Sequence, residues 1–222
     1  KEESDINKIV ETLRPLRIAM VIPNAVVIAG ALWEAGTFLK RSDYYTGAGS
    51  IPDADVRRIM KQHALGQWNV YAALYGTPEQ IDVNWNIVSG AFTAAGGEVL
   101  TEAEIGDDPV FQYRRDLMRG DMNLQEFGLY NWRGGGGSIW FAPVSQSRGS
   151  ETQKQMVMAK RILTEFGLDY VGEFIVGWRD MHHIIDLLYD RSDPEQMKNA
   201  YACYDKLLDV FAGEGYGTYR TN

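Results

Sequence analysis

A single cysteine, Cys203, in 222 residues excludes an intrachain disulfide framework and a cysteine-based metal cluster. One thiol suits an oxidising or a reducing compartment equally. Basic residues are outnumbered by acidic ones, 22 to 30, giving a formal net charge of −8. The lysines and arginines are scattered, and without a basic stripe a role built on nucleic-acid phosphates is disfavoured. No apolar run approaches the roughly 20 residues that span a bilayer. The longest, residues 18–32, is interrupted by Pro23, Asn24 and Gly30. Apolar residues are plentiful, at 45%, enough for a core in one large or two small units.

Breaker and cap signals divide the chain into alternating helices and strands. A helix is expected from an N-cap at Ser4 through residue 13, closed by Pro15, and Pro23 then marks a break or edge in the strand-like RIAMVIPNAVVI. Residues 29–40 read as a helix, a loop leads to another from Asp53, and residues 68–76 read as a strand. TPEQ opens a helix with Pro78 in its first turn, running to about residue 95 and stopping at Gly96 and Gly97. Between residues 98 and 130 the periodicity is weak, and acidic EAEIGDD followed by basic RRDLMR reads as exposed, irregular chain. The strand SIWFAPV, a helix over 152–166, the strand YVGEFIVG, helices over 181–189 and 194–212, and a last strand over 217–220 complete the order. This order predicts an α+β fold, a mostly antiparallel sheet flanked by helices in two ferredoxin-like halves, although no sequence repeat relates the halves.

Four consecutive glycines, residues 134–137, sit between Trp132 and Trp140. Glycine costs backbone entropy at every position, so such a run asks for positive φ or for close approach of the backbone to another group. A flexible linker would be flanked by Ser, Pro or charge instead. Tyr130, just before the run, reads either as a packing residue with a locally satisfied hydroxyl or as a functional phenol. Glu173 lies inside an apolar strand, hence on its solvent face or as a deliberately buried acid. His182 and His183 invite a metal reading, but neighbours on a helix point about 100° apart and cannot share one ion. Tyr219 and Arg220 alternate faces on a strand; near one oxygen, a hydroxyl and a guanidinium would favour a phenolate.

Three stretches carry a resemblance: EFGLYNWRGGGGSIWFAP from residue 126, its continuation into VSQSRGS, and LDYVGEFIVGWRDMHHIIDLLYD from residue 168. Over essentially its whole length the chain resembles the vanillyl-alcohol oxidase family of flavoenzymes, nearest the branch that oxidises 4-alkylphenols and passes electrons to a c-type cytochrome. The resemblance implies FAD bound covalently through the Tyr130 oxygen, with Glu173, Glu126 and His182 around the substrate's reacting carbon. Trp140 and Asp186 would line the pocket, and Tyr219 and Arg220 would hold the phenolate. It further implies a cytochrome subunit, a flavoprotein homodimer and a periplasmic location. An oxygen-using oxidase of 4-alkylphenols or vanillyl alcohol, a eugenol hydroxylase, and a catalytically silent phenol-binding module are the alternatives. The chain starts at Lys1 without Met and ends at Asn222 with a strand-like YGTYRTN. Residues 1–222 are therefore expected to be one substrate-binding or cap domain, inactive without a flavin-binding domain, its glycine loop poorly ordered or ordered only by the flanking tryptophans.

Overall fold

The computed structural model describes residues 2–219. The elements run α1 (Asp5–Ile18), β1 (Val26–Gly30), α2 (Ala31–Gly36), α3 (Asp53–Gln62), β2 (Trp68–Tyr71), α4 (Pro78–Ala94), α5 (Glu102–Ile105) and α6 (Pro109–Arg119). A 3₁₀ segment, Gln125–Asn131, leads to β3 (Gly137–Phe141), β4 (Pro143–Gln146), α7 (Gly149–Glu165), β5 (Gly172–Val176), β6 (Asp180–Tyr189), α8 (Pro194–Gly213) and β7 (Gly217–Thr218). The strands form one sheet in the order β2-β1-β5-β6-β4-β7. β3 and β4 lie end to end along the same side of β6, with Ala142 between them. Every described pairing is antiparallel, and the α+β architecture is the one expected.

Where caps are explicit the elements start where the residues dictate. Thr77 and Gln80 form a reciprocal capping box at the head of α4, with Pro78 in its first turn. Elsewhere the expectation fails for physical reasons. α1 continues through Pro15 to Ile18, because Leu16 and Arg17 are buried and the Arg17 guanidinium donates to the Ile22 carbonyl at 2.5 Å. The helix expected over 29–40 is only Ala31–Gly36, since Ala29 and Gly30 complete β1. Residues 98–130 are not irregular. They hold α5 and α6, the latter N-capped by Asp108 onto the Phe111 amide (2.8 Å) and ended by Gly120 at φ +94°.

The largest correction concerns residues 181–189, expected as a helix and found as β6. This strand is central in the sheet, between β5 and the β3/β4 line, and cores packed on each side cover both its faces, so its apolar run is nearly continuous. A continuous run of that length does not distinguish a buried strand from a buried helix. Along β6 the odd residues Met181, Ile185, Leu187 and Tyr189 join cores beneath α1, α7 and α8, and the even residues Ile184 and Leu188 join a core with α2, α3 and the 3₁₀ segment. One face of the sheet is thereby packed by long helices. The other, with short elements over it, carries the polar residues of interest.

Candidate functional site

Strand alternation gathers the candidates. Glu173 pairs with Ile184 across β5 and β6, Ile175 with His182, and Trp140 with Asp186 across β3 and β6. Glu173, His182, Asp186 and Trp140 therefore share the face opposite α7 and α8. Glu173 is the diagonal neighbour of both His182 and Asp186, about 7–8 Å away in such a ladder. Asp186 lies four residues along a strand from His182, not one helical turn after it. His182 and His183 point to opposite faces.

Glu173 is a buried acid rather than a solvent-facing one. Over it lies Arg114 of α6, whose guanidinium reaches Glu34 (2.9 Å), Glu126 (3.1 Å) and Glu173 (3.4 Å). Trp33 of α2 donates its indole N–H to Glu126 at 3.1 Å, and the Tyr113 hydroxyl donates to Glu34 at 3.2 Å. Burial pushes Glu173 up to about 8, with Arg114 opposing and the charges of Glu126 and Glu34 adding to the rise. Glu34, fully buried on α2, is raised by the same desolvation. Burial works against the Arg114 charge, but its acidic neighbours and Tyr113 outweigh it and hold this guanidinium firmly protonated. Sequence reasoning missed Arg114, Glu34, Tyr113 and Trp33. The Asp108-Pro109 start and Gly120 stop were the signals that could have placed Arg114 on a helix.

A second polar line runs along β3. Ser138 donates to Asp186 at 2.5 Å, and the Tyr130 hydroxyl hydrogen-bonds with Ser138 and Trp140. Burial pushes Asp186 up to about 7, Ser138 opposing, and its Oδ2 has no hydrogen-bond partner among the described residues. Tyr130 is half-buried against Phe127, and desolvation followed by the Asp186 charge raises its phenol.

The glycine run holds this line in place. Gly134 and Gly136 take φ of +103° and +70°, and Gly135 packs so close to the Asp190 carboxylate that a Cβ would collide with it. Arg191 donates to the Gly135 carbonyl at 3.0 Å. The loop is thus ordered by the turn after β6 as well as by its tryptophans. On its flank, Asp169 accepts from Trp132 Nε1 (2.9 Å), Arg41 Nε (2.9 Å) and the Ile51 amide (2.6 Å), with Arg133 3.2 Å away.

At the other end of β6, His182 is half-exposed, 3.3 Å from Asp180, and stacked on Tyr219 with ring centroids 4.7 Å apart. Arg220 lies outside the described residues. His183, on the opposite face, is fully buried against Phe174 and Tyr170, and desolvation pushes it down to about 3, so it is neutral. Among the described residues, no group of three or more His, Cys, Asp or Glu is arranged to hold a metal ion, and no helix is long and apolar enough to cross a membrane. Surface concavities along α7 lie on the helix-covered side, away from these residues.

No family model matches the chain. Over all of its length it is 58% identical to the 4-cresol dehydrogenase [hydroxylating] flavoprotein subunit of Pseudomonas putida, of which it spans 43%. A crystal structure of p-cresol methylhydroxylase with substrate bound superposes on the whole chain with a TM-score of 0.98 at 58% identity, covering 44% of that protein. The 4-ethylphenol oxidase of Gulosibacter chungangensis, in its isoeugenol complex, does so with a TM-score of 0.95 at 32% identity, again over 44% of its length. The chain is therefore homologous to a part, less than half, of each of these proteins.

Proposed function

We propose that this chain is the substrate-binding domain of a flavoenzyme that oxidises and hydroxylates 4-alkylphenols such as 4-cresol. The observation that carries the reading is the gathering of Glu173, His182, Asp186 and Trp140 on one sheet face, with Glu126 and Tyr130 reaching over them, in a chain 58% identical to a 4-cresol dehydrogenase flavoprotein subunit. Asp186 Oδ2, buried beside Tyr130 and without a partner among the described residues, is a polar atom that fits a further group bound there. Tyr130 would tether FAD through its phenol oxygen, with Trp140 and Asp186 beside it. Bound flavin supplies the acceptor for the hydride lost from the benzylic carbon.

The chain's own groups would do the rest. Tyr219 and Arg220 would stabilise the phenolate formed when the substrate hydroxyl gives up its proton, and departure of a hydride from the benzylic C–H bond of that phenolate leaves a neutral quinone methide. Water oxygen adds to that benzylic carbon, and the water proton passes to Glu173, Glu126 or His182, with the ring oxygen reprotonated to give the alcohol. A second oxidation yields the aldehyde. Glu173, raised to about 8 by burial, is suited to hold and release a proton near neutral pH. Electrons leave to a c-type cytochrome subunit, in keeping with a periplasmic flavoprotein dimer, and the isolated domain does not turn over substrate.

Mass spectrometry of the protein purified with its flavin-binding portion tests the tether: a flavin adduct is expected on the peptide containing Tyr130 and none in Tyr130→Phe. A Tyr130→Phe protein that still holds FAD covalently defeats the assignment. The 32% identity to a 4-ethylphenol oxidase supports a second reading, electron transfer to oxygen. Peroxide released in proportion to substrate would favour it, and reduction of cytochrome c without peroxide would exclude it.

A further inference from the structure

One nitrogen serves two competing acids. Arg114 Nη2 lies 2.9 Å from Glu34 Oε1 and 3.4 Å from Glu173 Oε2, whereas Nη1 is given to Glu126 at 3.1 Å. Glu34 comes from α2, Glu126 from the 3₁₀ segment and Glu173 from β5, so three elements converge on one cation from α6. The rings of Tyr71 and Tyr113 stand 5.2 and 5.0 Å from the guanidinium carbon, and both phenols are neutral because burial raises them. Among the described residues one guanidinium faces three acids in a water-poor site, so how Arg114 is shared decides which of them holds a proton most readily.

We propose that Arg114, drawn toward α2 by Glu34, is a positioning residue that leaves Glu173 only loosely paired, so that its carboxylate, once ionised, is a strong enough base to take the proton of the adding water. This deepens the 4-alkylphenol reading and rests on it. Glu34 takes the closer place on the shared nitrogen. Abolishing its charge would release Nη2 to Glu173 and stabilise the Glu173 carboxylate, whereas abolishing the Arg114 charge would leave both acids unpaired.

The test compares wild type, Glu34→Gln, Arg114→Gln and Arg114→Lys in the flavin-loaded protein. Its two readouts are the pH dependence of 4-cresol turnover and infrared titration of the protonated-carboxyl band without substrate. Glu34→Gln is expected to move the acid-side midpoint to lower pH and Arg114→Gln to higher pH, each by about 1 or more, with Arg114→Lys returning toward wild type. A merely structural role would lower turnover in every variant without moving the midpoints in opposite directions. Midpoints that stay put, or shift the same way, overturn the proposal. Should Arg114→Gln fail to fold, Glu34→Gln decides alone, since an unmoved or raised midpoint is incompatible with the sharing described. Wild-type protein that oxidises no 4-alkylphenol would defeat the functional reading, while the infrared titration would still decide the charge sharing.

Discussion

Tyr219 lies flat on His182, with ring planes 11° apart and centroids 4.7 Å apart, and this stack pins the end of a two-residue strand beside β4. Tyr219 is otherwise 43% exposed, so the His182 ring is a principal part of its support. His182→Ala is expected to weaken binding of a phenol to the flavin-loaded protein by roughly 2–10-fold, the equivalent of about 0.5–1.5 kcal/mol for an aromatic pair. His182→Phe should preserve the affinity while removing the imidazole. Titration with an unreactive phenol, followed by flavin absorbance, distinguishes the two, and equal losses would show that the stack does not position Tyr219.

Stability should fall as pH rises from about 4.5 to about 8, the range over which the two raised acids outweigh the one lowered histidine. Glu173 is raised from 4.5 to about 8 and Asp186 from 3.8 to about 7, so the folded state binds more protons than the unfolded state between those values. Their contributions are complete below the unfolded values and are lost as pH climbs through the folded ones. His183 works oppositely: lowered from 6.5 to about 3, it adds stability as pH rises to 6.5 and nothing further beyond. Thermal unfolding across pH 5–9 should therefore show this decline, flattened in Glu173→Gln. A decline unchanged in that variant would assign it to other groups.

Asp169→Ala should cost about 3–5 kcal/mol, because it removes the one carboxylate shared by the buried Arg41 and Arg133 guanidinium groups, leaving them only backbone carbonyls, and takes away the acceptor of the Trp132 indole N–H. Urea denaturation measures the loss directly. A change below about 1 kcal/mol would mean that water replaces the carboxylate.

Two glycines should respond to alanine with opposite signs. At Gly135 a Cβ would strike the Asp190 carboxylate, so Gly135→Ala is expected to destabilise by about 1–3 kcal/mol. At Gly90, an exposed position within α4, a Cβ would meet nothing within 4 Å, and Gly90→Ala is expected to stabilise by about 0.5–1 kcal/mol. Melting temperatures of the two variants against wild type suffice to check both signs.

Local signals were readable wherever the backbone itself made the demand. Thr77, Pro78 and Gln80 fix the head of α4, and the glycine run shows the positive φ and close approach that its composition requires. Glu173 was recognisable as an anomaly, but only its strand neighbours decide between a solvated and a buried carboxylate. Arg114 was hidden because its charge is satisfied by residues 59 and 80 positions away, so that RRDLMR resembles exposed chain until the partners are known. β6 was misread for a related reason: both faces are covered, which erases the alternation that marks a strand.

That same strand interleaves two functions at a stride of two residues. Met181, Ile185 and Leu187 serve the core under the helices, while His182 and Asp186 serve the opposite face. Inserting or deleting one residue in the middle of β6 would exchange these assignments for everything beyond that point, burying the chemistry and exposing the core together. Divergence within this segment is thus confined to substitution in place, and its length is a heritable constant of the site as binding as any one of its side chains.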